Sequence, residues 1–385
     1  MKIHKKLLSE VAEVIAGQSP PSDCYNKNES GLPFYQGKTD FGEKYPIVRN
    51  WCTGTKNKEA IANDILISVR APVGPVNLCQ NKSIIGRGLS AIRAKKGNSF
   101  EYLYYFLKNN EQQIAKLGTG STFKAITQTH LNKIIITVPE KYEDQIRIAD
   151  VLTRAEKLIA KRKESIKSLD EFLKSTFLEM FGDPVRNEKG WEKVFLGDVT
   201  NLITDGKHGD SVNEENSGYY FISAKDIHDG IIDYTNARQI IQKDFEEVHR
   251  RTDLCPGDLV IVNTGATIGK LAIVTNDHRT HRTTFQKSVA VVKIKENLID
   301  VNYLKFLFGL RLRDLVKASS GSAQQNLLLS QMRKIIIILP SVQKQSKFAA
   351  IVEKVEAIKV KYNESLVEME KLYGGLSQRA FRGEL

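Results

Sequence analysis

The strongest constraint on this chain is that it carries the same message twice. Residues 118–139 read GTGSTFKAITQTHLNKIIITVP, and residues 319–340 read SSGSAQQNLLLSQMRKIIIILP. A shift of 201 positions (321 − 120) places Gly120 on Gly321, Ser121 on Ser322, Lys133 on Lys334 and Pro139 on Pro340. The echo runs in the same order along the rest of the chain. SEVAEVIAG at 9–17 matches GDVTNLITD at 197–205, and GLPFYQGKTDF at 31–41 matches GYYFISAKDIHDG at 218–230. NDILISVRAPVGPV at 63–76 matches GDLVIVNTGATIGKL at 257–271. LSAIRAKKGNSFEYLYYFLKN at 89–109 matches VAVVKIKENLIDVNYLKFLFG at 289–309. Two copies of one domain explain this order more simply than a single large mixed fold.

Each copy reads as α+β. DILISV and DLVIVN are short β-branched strands behind an acidic turn residue, and GLSAIRA and SVAVVKIK form a second strand pair. FEYLYYFLKN and VNYLKFLFG have helical spacing with an aromatic face that belongs to a core. KIIIT and KIIII read as buried strands, each closed by a proline. SEVAEVI, with Ser9 as a cap, predicts a helix. The basic, then amphipathic start MKIHKKLLSEVAEVIAGQ predicts a surface helix rather than a secretion signal.

After Pro139 the pattern changes. Ile148, Leu152, Ala155, Ile159, Arg162, Ile166, Leu169, Leu173, Thr176 and Met180 follow a 4-3-4-3 spacing. Phe348, Val352, Val355, Lys359, Tyr362, Leu366, Met369, Tyr373, Leu376 and Ala380 repeat it after Pro340. So narrow an apolar seam needs a partner helix, and the simplest partner for each helix is the other. The expected architecture is two similar domains joined by two long antiparallel helices forming a coiled coil, with a pseudo-two-fold axis. The expected boundaries are 1–139 and 185–340 for the domains, and 140–184 and 341–385 for the spacer helices.

A formal net charge of +12 favours an acidic partner such as nucleic acid. The four cysteines form no C-x-x-C pair, which fits a reducing cytoplasm. No apolar run is long enough to span a bilayer, and His278-x-x-His281 lacks further ligands for a metal. Catalytic motifs are also missing. The one Pro-Pro, Pro20-Pro21, has the wrong flanks for the loop of an amino-methyltransferase. The one acidic-x-Lys triplet, Asp205-Gly206-Lys207, falls in a turn whose first-half partner is Gly17-Gln18. GATIGK lacks the glycine spacing and terminal hydroxyl of a nucleotide loop. No catalytic residue and no cofactor is therefore expected on this chain.

Two similar basic domains held by a helical spacer suit the reading of two sites on duplex DNA. The residues also carry a resemblance. GQSPPSDCYN, GLPFYQGKTDF, SVRAPVG and IGRGLSAI resemble a recurrent set in specificity subunits of type I restriction–modification enzymes. DGKHGD, YYFISAKDIHDG and GDLVIVNTGATIGK resemble a second set. VPEKYEDQIRIADVL and LPSVQKQSKFAAIV resemble the starts of the family's two spacer helices. The resemblance implies two target-recognition domains and a bipartite, asymmetric DNA target. It implies assembly with two modification subunits that bind S-adenosylmethionine, and with restriction subunits that use ATP and Mg. A coiled-coil scaffold without sequence-specific DNA reading is the alternative.

DNA-contacting candidates are polar or basic residues in loops between matched strands. In the first domain they are Gln36, Lys38, Arg70, Arg87, Ser121, Thr122 and Lys124. In the second they are Lys207, His208, Ser223, Lys225, Asn263, Thr264, Thr267, Ser322, Gln324 and Gln325. Arginine pairs bidentately with guanine, and glutamine or asparagine with adenine. Arg70 and Arg87 find no basic counterpart in the second half by sequence matching.

Overall fold

The β-branched segments on either side of the two aromatic helices form the sheets. The computed structural model describes residues 1–54, 57–118, 125–228, 230–265, 267–319 and 326–385, with side chains undescribed over 312–319. The chain divides into two units, Met1–Glu164 with Tyr362–Leu385, and Ser165–Lys361.

In the first unit a four-stranded antiparallel sheet has the order Ala12–Ala16, Leu89–Ala94, Ile65–Ser68, Val76–Leu78. Ile65, Ile67 and Ile92 bury one of its faces against the helix Phe100–Asn109, whose six residues from Tyr102 to Leu107 are all buried. A second, mixed sheet places Leu32–Tyr35 parallel to Ser83–Ile85. The second unit repeats this plan. Thr200–Asp205, Val289–Ile294, Leu259–Val262 and Leu271–Ile273 form a four-stranded sheet in the matching order, and Tyr220–Ile222 runs parallel to Thr283–Phe285.

The long helices are Tyr142–Phe181 and Val342–Arg382. Within each unit, segments of the two pack antiparallel along the expected seam. Ile148, Leu152 and Ile159 accompany Tyr362, Leu366, Met369 and Tyr373 in the first unit, whereas Ile166, Leu169 and Leu173 accompany Phe348, Val352 and Val355 in the second; all are buried or half-buried. The polar interruptions of the seam are satisfied locally. The Arg162 guanidinium lies 4.4 Å from the Tyr362 ring centroid, and Lys359 Nζ reaches Asp170 at 2.8 Å and Glu356 at 3.1 Å.

Three expectations from the sequence change. The basic start is not a helix: Ile3–Leu7 is a strand paired with Ile135–Pro139. SEVAEVI is helical for one turn only, within Leu8–Val11, and then extends as Ala12–Ala16. Its matched segment makes a short 3₁₀ turn, Leu196–Val199, before Thr200–Asp205. Ala12 and Val14 are buried whereas Glu13 is exposed, and this period-two burial on the sheet outweighs the local helical spacing. The KIIIT and KIIII strands are not buried throughout, because each belongs to a two-stranded ribbon. Ile136 and Ile337 face the core, while Ile135 and Ile336 face solvent.

Candidate nucleic-acid interface

Three strands of the first unit end side by side. Leu32–Tyr35 runs into Gln36, Ser83–Ile85 into Gly86 and Arg87, and Ile65–Ser68 into Val69 and Arg70. Backbone hydrogen bonds hold these ends together: Gly86 N–H donates to Tyr35 O at 2.8 Å, and Val69 N–H to Gly88 O at 2.9 Å. The approach requires glycine, since a Cβ on Gly88 would lie 2.3 Å from Gln36 O. The result is an open groove of about 720 Å³ lined by Gln36, Lys38, Arg70 and Arg87, together with Ser19, Tyr25 and Thr39. All four sequence candidates described in this unit therefore meet in one place, and all four are exposed.

Local contacts orient their backbone. Buried Asp40 accepts from the Gln36 N–H at 2.7 Å and fixes the 3₁₀ turn Lys38–Asp40. Ser19 Oγ accepts from both the backbone N–H and Nε of Arg87, each at 3.3 Å. Tyr25 forms part of the wall and donates its hydroxyl to Pro20 O at 2.8 Å, and burial raises its pKa. Ser19, Tyr25 and Thr39 carry no periodic signal in the sequence, because a loop, a two-residue strand and a single 3₁₀ turn are too short to show one.

The second unit builds its strand ends from different residues. Gln286 N–H donates to Ile222 O at 2.9 Å, and Asn263 N–H to Ser288 O at 3.0 Å, the same two links as in the first unit. Asp226 accepts from the backbone N–H and Oγ of Ser223 at 2.9 and 2.8 Å, doing what Asp40 does for Gln36. Lys225 and Thr267 are exposed, the latter in the hairpin turn before Leu271–Ile273. That hairpin leads into a strand, so GATIGK has no helix N-terminus with which to cradle a phosphate. Thr264 is half-buried and donates its hydroxyl to Asn326 Oδ1 at 2.9 Å. Asn263 is buried at 3% exposure and serves the strand end from inside.

Lys207 sits differently from the exposed candidates. Lys207 Nζ bonds Asp244 at 3.0 Å and Glu247 at 3.1 Å, both on the helix Gln242–Thr252. The Val212 N–H and then this ammonium hold the Asp244 carboxyl below its ordinary pKa. The cation of the Asp205-Gly206-Lys207 triplet is thus taken by two other carboxylates. His208 Nε2 lies 3.1 Å from Asp205 Oδ2, with its side chain largely exposed. Ser121, Thr122, Lys124, Ser322, Gln324 and Gln325 lie outside the described residues. The described residues that follow those stretches are matched: Ala125 bridges Arg70, and Asn326 bridges Thr264.

One sequence reading is corrected here. Arg87 does have a basic counterpart. Lys287 follows Thr283–Phe285 as Arg87 follows Ser83–Ile85, and it too is exposed. The shift of 200 (289 − 89) that aligns the following strands also relates Lys287 to Arg87.

The geometry has a family context. The family model described as type I restriction modification DNA specificity domain matches residues 2–168 and again residues 188–368. The chain belongs to this family. A putative type I restriction enzyme MjaX specificity subunit from Methanocaldococcus jannaschii is 45% identical over 154 residues, covering 40% of this chain and 36% of that relative. The MjaIX specificity subunit from the same organism is 24% identical over a 429-residue alignment, covering 99% of this chain and 93% of the relative. The EcoBI specificity subunit of Escherichia coli is 20% identical, covering 98% and 85%. Among solved structures, the type I restriction-modification S subunit from M. genitalium superposes with a TM-score of 0.61 at 15% identity, covering 99% of this chain and 96% of that one. A chain from a structure of complex assembly and conformational transition in the type I R-M system gives a TM-score of 0.62 at 18% identity, covering 100% and 98%. The specificity family's fold, two similar α+β domains with two long helices, is therefore the fold of this chain. Among the described residues no helix is long and apolar enough to cross a membrane.

Proposed function

We propose that this chain is the DNA-reading subunit of a type I restriction–modification complex, with each domain contacting one half of a bipartite, asymmetric duplex target. The observation that carries this reading is the groove at three strand ends. It gathers Gln36, Lys38, Arg70 and Arg87 in one unit, and the same strand ends recur in the other. Cations beside amide and hydroxyl groups are the chemistry that holds phosphates and reads base edges.

In this reading the chain performs no catalysis. It directs two modification subunits and the restriction subunits to the target, and S-adenosylmethionine, ATP and Mg belong to those partners. The engagement of Lys207 by Asp244 and Glu247 supports a structural role for the acidic-x-Lys triplet. Exposed apolar residues on the long helices support partner docking: Leu158 and Leu372 in the first unit, Phe172 and Val360 in the second.

The test is selection from a randomised duplex library with the complex of this chain and its modification subunits. Enrichment of one gapped motif is expected. A library returning no gapped motif would favour the coiled-coil scaffold instead.

A further inference from the structure

We propose that the two copies sort their own DNA contacts: Arg87, Lys287, Lys38 and Lys225 hold phosphates, whereas the paired positions Gln36/Ser223 and Arg70/Thr264 read bases. The inference rests on the proposed function and goes further, because it assigns a role to each position and adds Lys287 to the interface.

Equivalence between the copies is fixed by backbone hydrogen bonds rather than by sequence alignment. Gly17 N–H donates to Leu89 O at 3.0 Å, and Gly206 N–H to Val289 O at 3.2 Å. Gln18 N–H donates to Ile85 O at 3.0 Å, and Lys207 N–H to Phe285 O at 2.7 Å. Ile126 N–H donates to Val69 O at 3.0 Å, and Leu327 N–H to Asn263 O at 2.8 Å. With the links already described, these bonds make Arg87 equivalent to Lys287 and Arg70 to Thr264. The parallel strand pairs make Tyr35 equivalent to Ile222 and so Gln36 to Ser223, and the 3₁₀ turn that follows, held in each copy by a buried aspartate, carries one exposed lysine, Lys38 at its first position and Lys225 at its second.

Two half-sites of different sequence share one thing, the phosphate backbone. A duplicated reader must keep its charge where both copies meet phosphate, and must diverge where they meet different bases. The observed pairs divide in this way. At Arg87/Lys287 and Lys38/Lys225 the side chains differ in shape or setting, yet the positive charge and the exposure are the same. At Arg70/Thr264 a bidentate donor faces a short hydroxyl, and at Gln36/Ser223 an amide faces a hydroxyl. Each exchange alters which base edge can be bonded. Lys207 stands outside the sorting: its equivalent is neutral Gln18, and its own charge is matched within the domain by Asp244 and Glu247.

The experiment uses the full chain in complex with its modification subunits, titrated with the selected duplex and a scrambled duplex across a salt series. Lys287→Ala, Arg87→Ala, Lys38→Ala and Lys225→Ala should each weaken both duplexes alike, by about fivefold near 0.15 M salt. Each should also reduce the slope of log affinity against log salt by about 0.9. Lys287→Arg should restore the slope. Arg70→Ala and Gln36→Ala should weaken the selected duplex more than the scrambled one. An unchanged salt slope for Lys287→Ala, or a loss confined to the selected duplex, would overturn the assignment. Failure of the function itself has a separate signature, a wild-type complex that does not distinguish the two duplexes.

Discussion

Gln145 and Gln345 show how much one side chain does at each domain's junction with its helix. Gln145 is buried; its Oε1 accepts the Ser99 N–H at 2.8 Å, and its Nε2 donates to Pro139 O at 3.3 Å. Gln345 repeats this with the Asp300 N–H at 2.9 Å and Pro340 O at 2.7 Å. Each amide ties the start of an aromatic helix to the end of the ribbon that precedes a long helix. Replacing Gln145 with alanine orphans a buried N–H and a buried carbonyl, at about 1–3 kcal/mol for each group. Chemical denaturation should show a loss of about 2–4 kcal/mol in the transition of the first unit. A change below about 0.5 kcal/mol would show that these bonds are replaceable. The pairing of the two glutamines is visible in the sequence as a shift of 200 positions (345 − 145), but their burial is not. Polar residues in a heptad pattern ordinarily read as a solvated face, and only the fold supplies the backbone groups that turn them inward. The groove residues divide similarly. Arg70 and Gln36 stand out as polar residues between matched strands, whereas Ser19 acquires its role only because folding brings it beneath Arg87, 68 positions away.

The long helices were the most legible elements, since a seam kept over so many heptads admits few other structures. Less legible was how they meet the domains. In the second unit Phe177 is fully buried, with ring centroids 5.0–5.8 Å from Phe181, Tyr303, Phe306 and Phe348. In the first, Glu156 accepts from the Tyr105 hydroxyl at 2.8 Å, Lys108 Nζ at 2.8 Å and the Tyr373 hydroxyl at 2.9 Å. Burial raises the pKa of both tyrosines, which keeps them protonated donors. Around Phe177 the helix–domain contact is thus aromatic, whereas around Glu156 it is a charged, hydrogen-bonded node, despite the common ancestry implied by the repeat. Phe177→Ala should cost about 3–5 kcal/mol of stability, as for other buried phenylalanines. Leu372→Ala, at an exposed position on the second long helix, should change stability by less than about 0.5 kcal/mol. If the helix faces carry the partners, Leu372→Ala should instead weaken assembly with the modification subunits, measured by analytical ultracentrifugation. Undiminished assembly would remove Leu372 from that interface. The short strands are least legible at the start of the chain, where MKIHKKL follows a helix-like charge pattern but pairs with the strand Ile135–Pro139, centred 132 residues further on (137 − 5).

At the scale of the whole molecule, the repeat in sequence is a repeat in topology, down to the parallel strand pair in each unit. If the helices set the spacing of the half-sites, matched seven-residue insertions near Arg162 and Tyr362 should change the gap in the recognised motif. Seven residues keep the seam in phase, so the half-sites should persist, and methylation mapping would read both. A motif with the original gap would separate spacing from helix length. The assignment of residues to units has another consequence, for synthesis. The core of the first unit includes Phe381, whose ring packs against Tyr102 and Phe106, and whose carbonyl accepts from Thr137 Oγ1 at 3.0 Å. Thr137 and Phe381 are 244 positions apart. During translation the earlier-made domain therefore emerges with part of its interior still open, and closes only after the second has been made. At roughly 5–20 residues per second that wait lasts about 12–50 seconds, a window in which a chaperone can hold the exposed aromatic surface.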